Sequence, residues 1–303
     1  MPVFVVFYLY LDQFSEEVFW LQEPSTWLLQ ELQLDRRQER EFSAFVGIEE
    51  RWQIYWAACV GTMGSTASVL AVETRTLSKV LDLVESDPGL TAEKGCLALS
   101  SSAGAIYAGA TDDVITENTP VAPTTAYAHE KLKQENLITS YALKNNGVAA
   151  LLARISTLYG PGQTTGKQQG LLAHIARSIL RNQSIHIYVP FDTIRDYIAA
   201  DDAATAIVVT LHVIGGKQGV FSKIIASESP TTIAEIISIF RKISRRRPRV
   251  VASASRLSSI YTRRIQFRSI VEPINKHVPR TSLLVGVAQV LAAERSAITR
   301  SCG

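Results

Sequence analysis

No glycine precedes Gly47 in this 303-residue chain. Glycine supplies the tight turns and close backbone approach that let a phosphate reach a helix N-terminus, so the leading segment has no such cradle. Cysteine is scarce as well. Cys59, Cys96 and Cys302 stand far apart without metal-ligand spacing, which excludes a disulfide framework or a zinc site. Charge is nearly balanced, with a formal net charge of +3, too little to imply a polyanionic partner by itself. No uninterrupted apolar run is long enough to cross a bilayer. The apolar start, Val3 to Leu11, ends at Asp12 and follows no basic residue, so it reads as a buried strand rather than a signal peptide. Reduced thiols and the lack of a spanning segment place the expected protein in the cytoplasm.

What is present is ample core. Hydrophobic residues make up 47% of the chain and charged residues 19%, which suits one large domain, or a domain with a smaller lobe. From Trp52 onward, apolar runs alternate with helical patterns. Strands are expected at Trp52–Ala58, Gly95–Ser100 and Val148–Arg154, with helices at Thr66–Ser86 and Tyr127–Asn146 between them. Further helices are expected at Gly170–Arg181, Asp201–His212 and Thr231–Ser244, and strands at Ile185–Val189, Ile194–Ala199 and Val220–Ala226. Thr232 and Glu235 have the spacing of a capping box. This alternation implies an α/β fold built on a parallel sheet, in which ligands sit at the carboxyl ends of the strands.

Chemistry concentrates between Ser100 and Gln163. Tyr127 and Lys131 are four apart, one turn from each other on one helix face. An ammonium beside a phenol favours the phenolate, and a serine hydroxyl upstream could polarise the same substrate oxygen. These groups fit proton transfer coupled to hydride transfer at a carbon that carries a hydroxyl. His129 is offset from the Tyr127/Lys131 face and reads as a surface residue.

The stretch Leu97–Ala204 resembles the NAD-dependent epimerase/dehydratase family, the extended short-chain dehydrogenases that act on nucleotide sugars. The residues that carry the likeness are Ser101-Ser102-Ala103-Gly104-Ala105-Ile106-Tyr107, Glu117 with Pro120, and Tyr127-x-x-x-Lys131 with Glu135. Arg154, Tyr159-Gly160-Pro161-Gly162 and Arg195-Asp196-Tyr197-Ile198 continue the series to Asp201-Asp202-Ala203. The resemblance implies a Rossmann-like, doubly wound parallel sheet with a smaller C-terminal substrate lobe. It sets the NAD-binding domain at 1–165, atypical over 1–50. The substrate lobe is then mostly 166–303, with 194–213 returning to the first domain.

By the same resemblance, Tyr127 is the general acid/base, Lys131 supports it and bonds the nicotinamide ribose, and Ser102 is the catalytic hydroxyl, with Ser100 and Ser101 as competitors. Ala57, Ala58, Ser101, Tyr127, Lys131 and Tyr159 would contact NAD. Thr157 and Arg195 would contact the nucleotide-sugar substrate, Arg195 through its diphosphate. Helix pairing into a homodimer is a further implication. No metal, membrane or nucleic-acid partner is expected. The basic stretch Arg241–Arg268, which has no acidic residue, reads as a solvated face.

Two departures from the family pattern direct the reaction. Family dehydratases carry an Asp-Glu pair just after the catalytic hydroxyl. Ala103, Gly104 and Ala105 stand there and cannot move protons, which points away from dehydration and toward 4-epimerisation through a keto sugar. The front end lacks the Gly-x-x-Gly-x-x-Gly turn, and Asp12-Gln13-Phe14-Ser15 is no substitute. That motivates a second expectation: a catalytically impaired relative that binds a sugar nucleotide or a protein. A third is an NADP-dependent sugar-nucleotide reductase.

Overall fold

The computed structural model describes residues 3–6, 51–57, 61, 63–86, 88, 94–163, 170–252, 264–272 and 280–301. In chain order the elements begin with strands β1 (Val3–Val6) and β2 (Arg51–Trp56), helix α1 (Ala67–Ser86), β3 (Lys94–Ser102), and the short helix α2 (Ala103–Ile106). Helix α3 (Ala126–Lys144), strands β4 (Ala149–Ile155) and β5 (Thr157–Tyr159), and helix α4 (Leu171–Leu180) follow. Next come β6 (Ile185–Ile187), β7 (Ile194–Ala199), α5 (Ala200–Ile214), β8 (Gly219–Ile225) and β9 (Pro230–Thr232). Helix α6 (Ile233–Ser244), strand β10 (Val250–Ala252) and helix α7 (Leu283–Ser301) complete the chain.

The main sheet has the order β1-β2-β3-β4-β8. Val3 pairs with Gln53 and Val6 with Trp56, and Trp52 to Trp56 run alongside Gly95 to Leu99, both in parallel register. Strands run consecutively away from β1, as they do on one side of the crossover in a doubly wound sheet. Within the described residues, β1 is therefore an edge strand. The expected strand Val3–Leu11 is realised as Val3–Val6, and 7–11 lie outside the described residues.

The chain divides into two compact units. One holds residues 1–102, 126–154 and 207–223, and the other holds 103–125, 155–206 and 224–303. The core of the first unit packs Trp52, Ile54 and Trp56 of β2 and Leu97 and Leu99 of β3 with Leu77, Leu81 and Val84 of α1 and Ile138 and Tyr141 of α3. The apolar period of α1 explains its side of this core, because Leu70, Leu77, Leu81 and Val84 form one stripe. One charged residue, Glu73, lies buried in that stripe. Gly95 lets the Trp52 ring lie against the strand backbone, where any Cβ would collide with the indole.

The second unit has its own core. Leu172, Ile175 and Ile179 of α4 meet Ile233, Ile236 and Phe240 of α6 and Val287, Val290 and Leu291 of α7. The expected capping box is present at the start of α6, where the Thr232 hydroxyl accepts from the Glu235 N–H and the Glu235 carboxylate accepts from the Thr232 N–H. Asp202 lies in the first turn of α5 and accepts from the Thr281 N–H (2.7 Å) and hydroxyl (3.0 Å), anchoring the segment that leads into α7. No helix among the described residues is long and apolar enough to cross a membrane.

Candidate functional site

Tyr127 and Lys131 both lie on the buried side of α3. The helix starts just after Thr125, and its first turn brings the phenol and the ammonium together, with Lys131 Nζ 5.9 Å from the centre of the Tyr127 ring. His129, between them in sequence, is exposed. The two side chains join Leu70 and Glu73 of α1 and Glu130 and Gln134 of α3 in lining a recess of the first unit.

Lys131 is held by three acceptors. Its Nζ donates to Glu73 Oε1 (2.8 Å), to Gln134 Oε1 (3.1 Å) and, more weakly, to the Ser100 carbonyl (3.4 Å). The Lys131 and Glu73 side chains are 3% and 4% exposed, so this is a buried ion pair, shielded from the screening that weakens surface pairs. Gln134 Nε2 also donates to Glu73 Oε1 (3.1 Å), which fixes the carboxylate from a second direction. Glu130 is the other carboxylate of the recess. Burial pushes it up, but hydrogen bonds from Lys133 and Thr74 and the charges of Lys133 and Arg75 outweigh that and hold it below the usual range.

The three serines at the end of β3 are separated by the alternation of the strand. Ser101 is buried and its hydroxyl donates to Glu135 Oε1 at 2.6 Å. Glu135 is gripped in turn by Arg154, through Nε (3.1 Å) and a terminal nitrogen (2.7 Å). Ser101 thus belongs to a buried structural network, whereas Ser102 is half-buried at the strand's carboxyl end. The Ser100 carbonyl holds Lys131, which links the strand end directly to α3. Ala57 is half-buried just past β2, and Ala58 lies outside the described residues.

Residues that the sequence assigns to substrate or cofactor in the second unit have varied surroundings. Thr157 is exposed. Arg195 is half-buried and donates to the Ile194 carbonyl (2.8 Å). Its neighbour Asp196 is 1% exposed and accepts from the Ser156 hydroxyl (2.7 Å), the Ser227 N–H (2.8 Å) and hydroxyl (3.0 Å), and the Ser229 N–H (3.0 Å). Asp196 thereby ties its own strand to the Ser156 and Ser227–Ser229 segments. Tyr159 is buried, with its hydroxyl in the space that a Cβ on Gly286 of α7 would occupy. Burial, assisted by the Asp202 charge, pushes the Tyr159 phenol up to about 12, so it stays protonated. Within the basic stretch, Arg246 donates to the Ile179 carbonyl at the end of α4 (3.2 Å), while Arg241, Lys242, Arg245, Arg247 and Arg249 are exposed.

Sequence reasoning did not single out Glu73 or Gln134 as parts of the Tyr127 neighbourhood. For Glu73 a signal existed: a carboxylate at a core position of an amphipathic helix needs a buried cation opposite it. Among the described residues no cluster of His, Cys, Asp and Glu suits a metal ion. The donor set suits the ribose end of a nicotinamide dinucleotide, since the Ser100 carbonyl takes the longest of Lys131's three bonds and could yield it to a sugar hydroxyl.

Residues 51–221 match the model of the NAD dependent epimerase/dehydratase family. A dTDP-L-rhamnose 4-epimerase of Burkholderia thailandensis is 33% identical over 96 residues, 31% of this chain and 26% of the relative. A dTDP-4-dehydro-6-deoxyglucose reductase of Escherichia coli is 29% identical over 147 residues, 48% of this chain and 45% of the relative. The chain thus spans less than half the length of these curated relatives. Among solved structures, the UDP-glucose 4-epimerase of Thermus thermophilus in complex with NAD superposes with a TM-score of 0.68 at 19% identity. That superposition covers 87% of this chain and 83% of the other. At this identity the likeness establishes the Rossmann-like α/β fold.

Proposed function

Because this chain belongs to the NAD-dependent epimerase/dehydratase family, we propose that it is a nucleotide-sugar 4-epimerase whose proton-transfer group is Tyr127. The observation that carries the reading is the placement of Tyr127 and Lys131 on one buried face of α3, with the carboxyl end of β3 bonded to that lysine.

In this reading Ser102 donates a hydrogen bond to the reacting sugar oxygen and fixes its position. Tyr127 removes the proton of that hydroxyl as the carbon is oxidised, and returns it when the keto sugar is reduced from the opposite face. Lys131 holds a ribose hydroxyl with the donor now directed at the Ser100 carbonyl. NAD, the cofactor for which the family is named, would supply a reversible hydride acceptor when bound beside these residues. Ala57 and Ala58 would border the same ribose. Ala103, Gly104 and Ala105 offer no acid or base beside Ser102, which supports epimerisation over loss of water. Arg195 would meet the substrate diphosphate, and Thr157 the sugar-nucleotide chain. Tyr159 and Ser101 then act as framework rather than as ligands.

A second reading has its own support. The glycine-free front end favours a relative that keeps the sugar-nucleotide site but binds NAD poorly. Calorimetric titration of the purified chain with NAD separates the two. Saturable binding in the micromolar range is the expected result, and no heat of binding at millimolar NAD would overturn the epimerase reading in favour of the second.

A further inference from the structure

The basic stretch after α6 reads in the sequence as a solvated face, but its setting in the second unit gathers it into one cationic surface. The C-terminal ends of α4 and α6 meet there, because Arg246 donates to the Ile179 carbonyl at 3.2 Å. The Arg249 carbonyl accepts from the Ile185 N–H at 2.7 Å, which brings the rest of the loop beside the paired strands β6 and β10. A helix C-terminus attracts cations, and Arg246 answers that need for α4. Arg241, Lys242, Arg245, Arg247 and Arg249 are exposed, and among the described residues no carboxylate pairs with any of them. Arg245 is also the C-cap of α6 in the left-handed region (φ 54°), a place that glycine usually takes. The chain therefore holds an arginine where both backbone strain and like-charge repulsion oppose it.

The surrounding elements do not offset this charge. Helices α4, α6 and α7 and strands β6, β9 and β10 carry only Glu235 and Glu294 as carboxylates. Glu235 is engaged by Thr232 in the first turn of α6, about 15 Å along the helix from Arg245. That is well beyond the roughly 8 Å over which exposed charges act through physiological salt. Asp192 lies toward the same first turn, since the Phe191 carbonyl accepts from the Ala234 N–H. Glu294 is paired with Arg177 at 3.4 Å and also feels the charge of Arg181. Arg295 and Arg300 of α7 are exposed and add to the positive sign. We propose that this end of the second unit docks on the phosphate headgroups of an anionic phospholipid bilayer. Residues 241–252 hold no aromatic side chain on which bases could stack, and the cations gather at a helix end rather than along a face that could enter a groove. Val251, 41% exposed, and the exposed Ala252 lie beside them and offer an apolar contact at the headgroup level.

The test sediments the full chain with vesicles of phosphatidylcholine alone or with about a third phosphatidylserine. Each is measured at about 0.1 M and about 0.5 M salt. Binding to the phosphatidylserine vesicles at low salt, lost at high salt and absent from phosphatidylcholine alone, is the expected result. A basic residue at such a surface contributes about five-fold in affinity, so Arg245→Gly with Arg247→Ser should weaken binding about 25-fold. Glycine suits the left-handed C-cap, so this variant should keep its fold, and its melting curve checks that. If it does not fold, Arg247→Ser with Arg249→Ser removes the same charge and leaves the cap intact. Arg245→Lys with Arg247→Lys retains the charge and should bind within about three-fold of the parent. Equal sedimentation with neutral vesicles, none with either kind, or undiminished binding by the charge-removing variant overturns the proposal. So does binding of labelled duplex RNA through the same residues when the anionic vesicles are not bound.

Discussion

Tyr127→Phe is expected to lower turnover about 10²- to 10⁴-fold, the range that a positioned general acid/base contributes. The ring is buried against α1 and α3, so loss of one hydroxyl leaves its apolar contacts in place. Melting temperature should change little, and NAD should still bind within a few-fold of the parent. Conversion of UDP- and dTDP-hexoses followed by proton NMR in parent and variant checks this. A variant that retains more than about a tenth of parental activity would remove Tyr127 from the proton-transfer role.

The second large effect concerns stability. Arg154→Leu should destabilise the first unit by about 3–5 kcal/mol, because it leaves the Glu135 carboxylate buried without its cation. That is a large share of the roughly 5–15 kcal/mol by which domains are stable. The Ser101 hydroxyl would still donate to Glu135, but a neutral donor does not replace the cation. The double replacement Arg154→Leu with Glu135→Leu should recover most of the loss, since no orphaned charge remains. Urea unfolding of the two variants beside the parent measures both. Equal losses in the single and double variants would mean that the packing of the Arg154 stem, and not its charge, carries the stability.

Much of this was legible in the sequence, for identifiable reasons. The strand and helix runs between Trp52 and Arg154 are long and strongly periodic, and each reappears within a few residues of its expected bounds. Spacing alone put Tyr127 and Lys131 on one helix face, because four residues make about one turn. The capping box at Thr232 was equally plain, since both partners lie within one turn. Strands β5, β9 and β10 have three residues each, too short to show any period.

The rest depended on contacts between segments remote in sequence. Strand alternation alone does not choose between Ser101 and Ser102, and it does not reveal that the Ser101 hydroxyl meets Glu135, 34 positions away. Likewise nothing in the sequence near Tyr159 announces that its phenol is buried in the slot that Gly286 on α7 leaves open. Asp202, in the first turn of α5, holds Thr281, 79 positions later. Glu73 shows the same limit most sharply. Its position in an apolar stripe announces a buried charge, but only the folded chain says that the partner is the lysine of the site.

On the proposed reading, the chain interconverts nucleotide sugars by reversible oxidation at one carbon. The direct measurement incubates the purified chain and NAD with UDP-glucose, UDP-galactose and dTDP-L-rhamnose separately, and follows sugar stereochemistry by NMR and NADH by absorbance at the same time. Inversion at one carbon of at least one of these sugars, without net accumulation of NADH, is the predicted result. No inversion of any of them, or stoichiometric production of NADH with a released keto sugar, would contradict it.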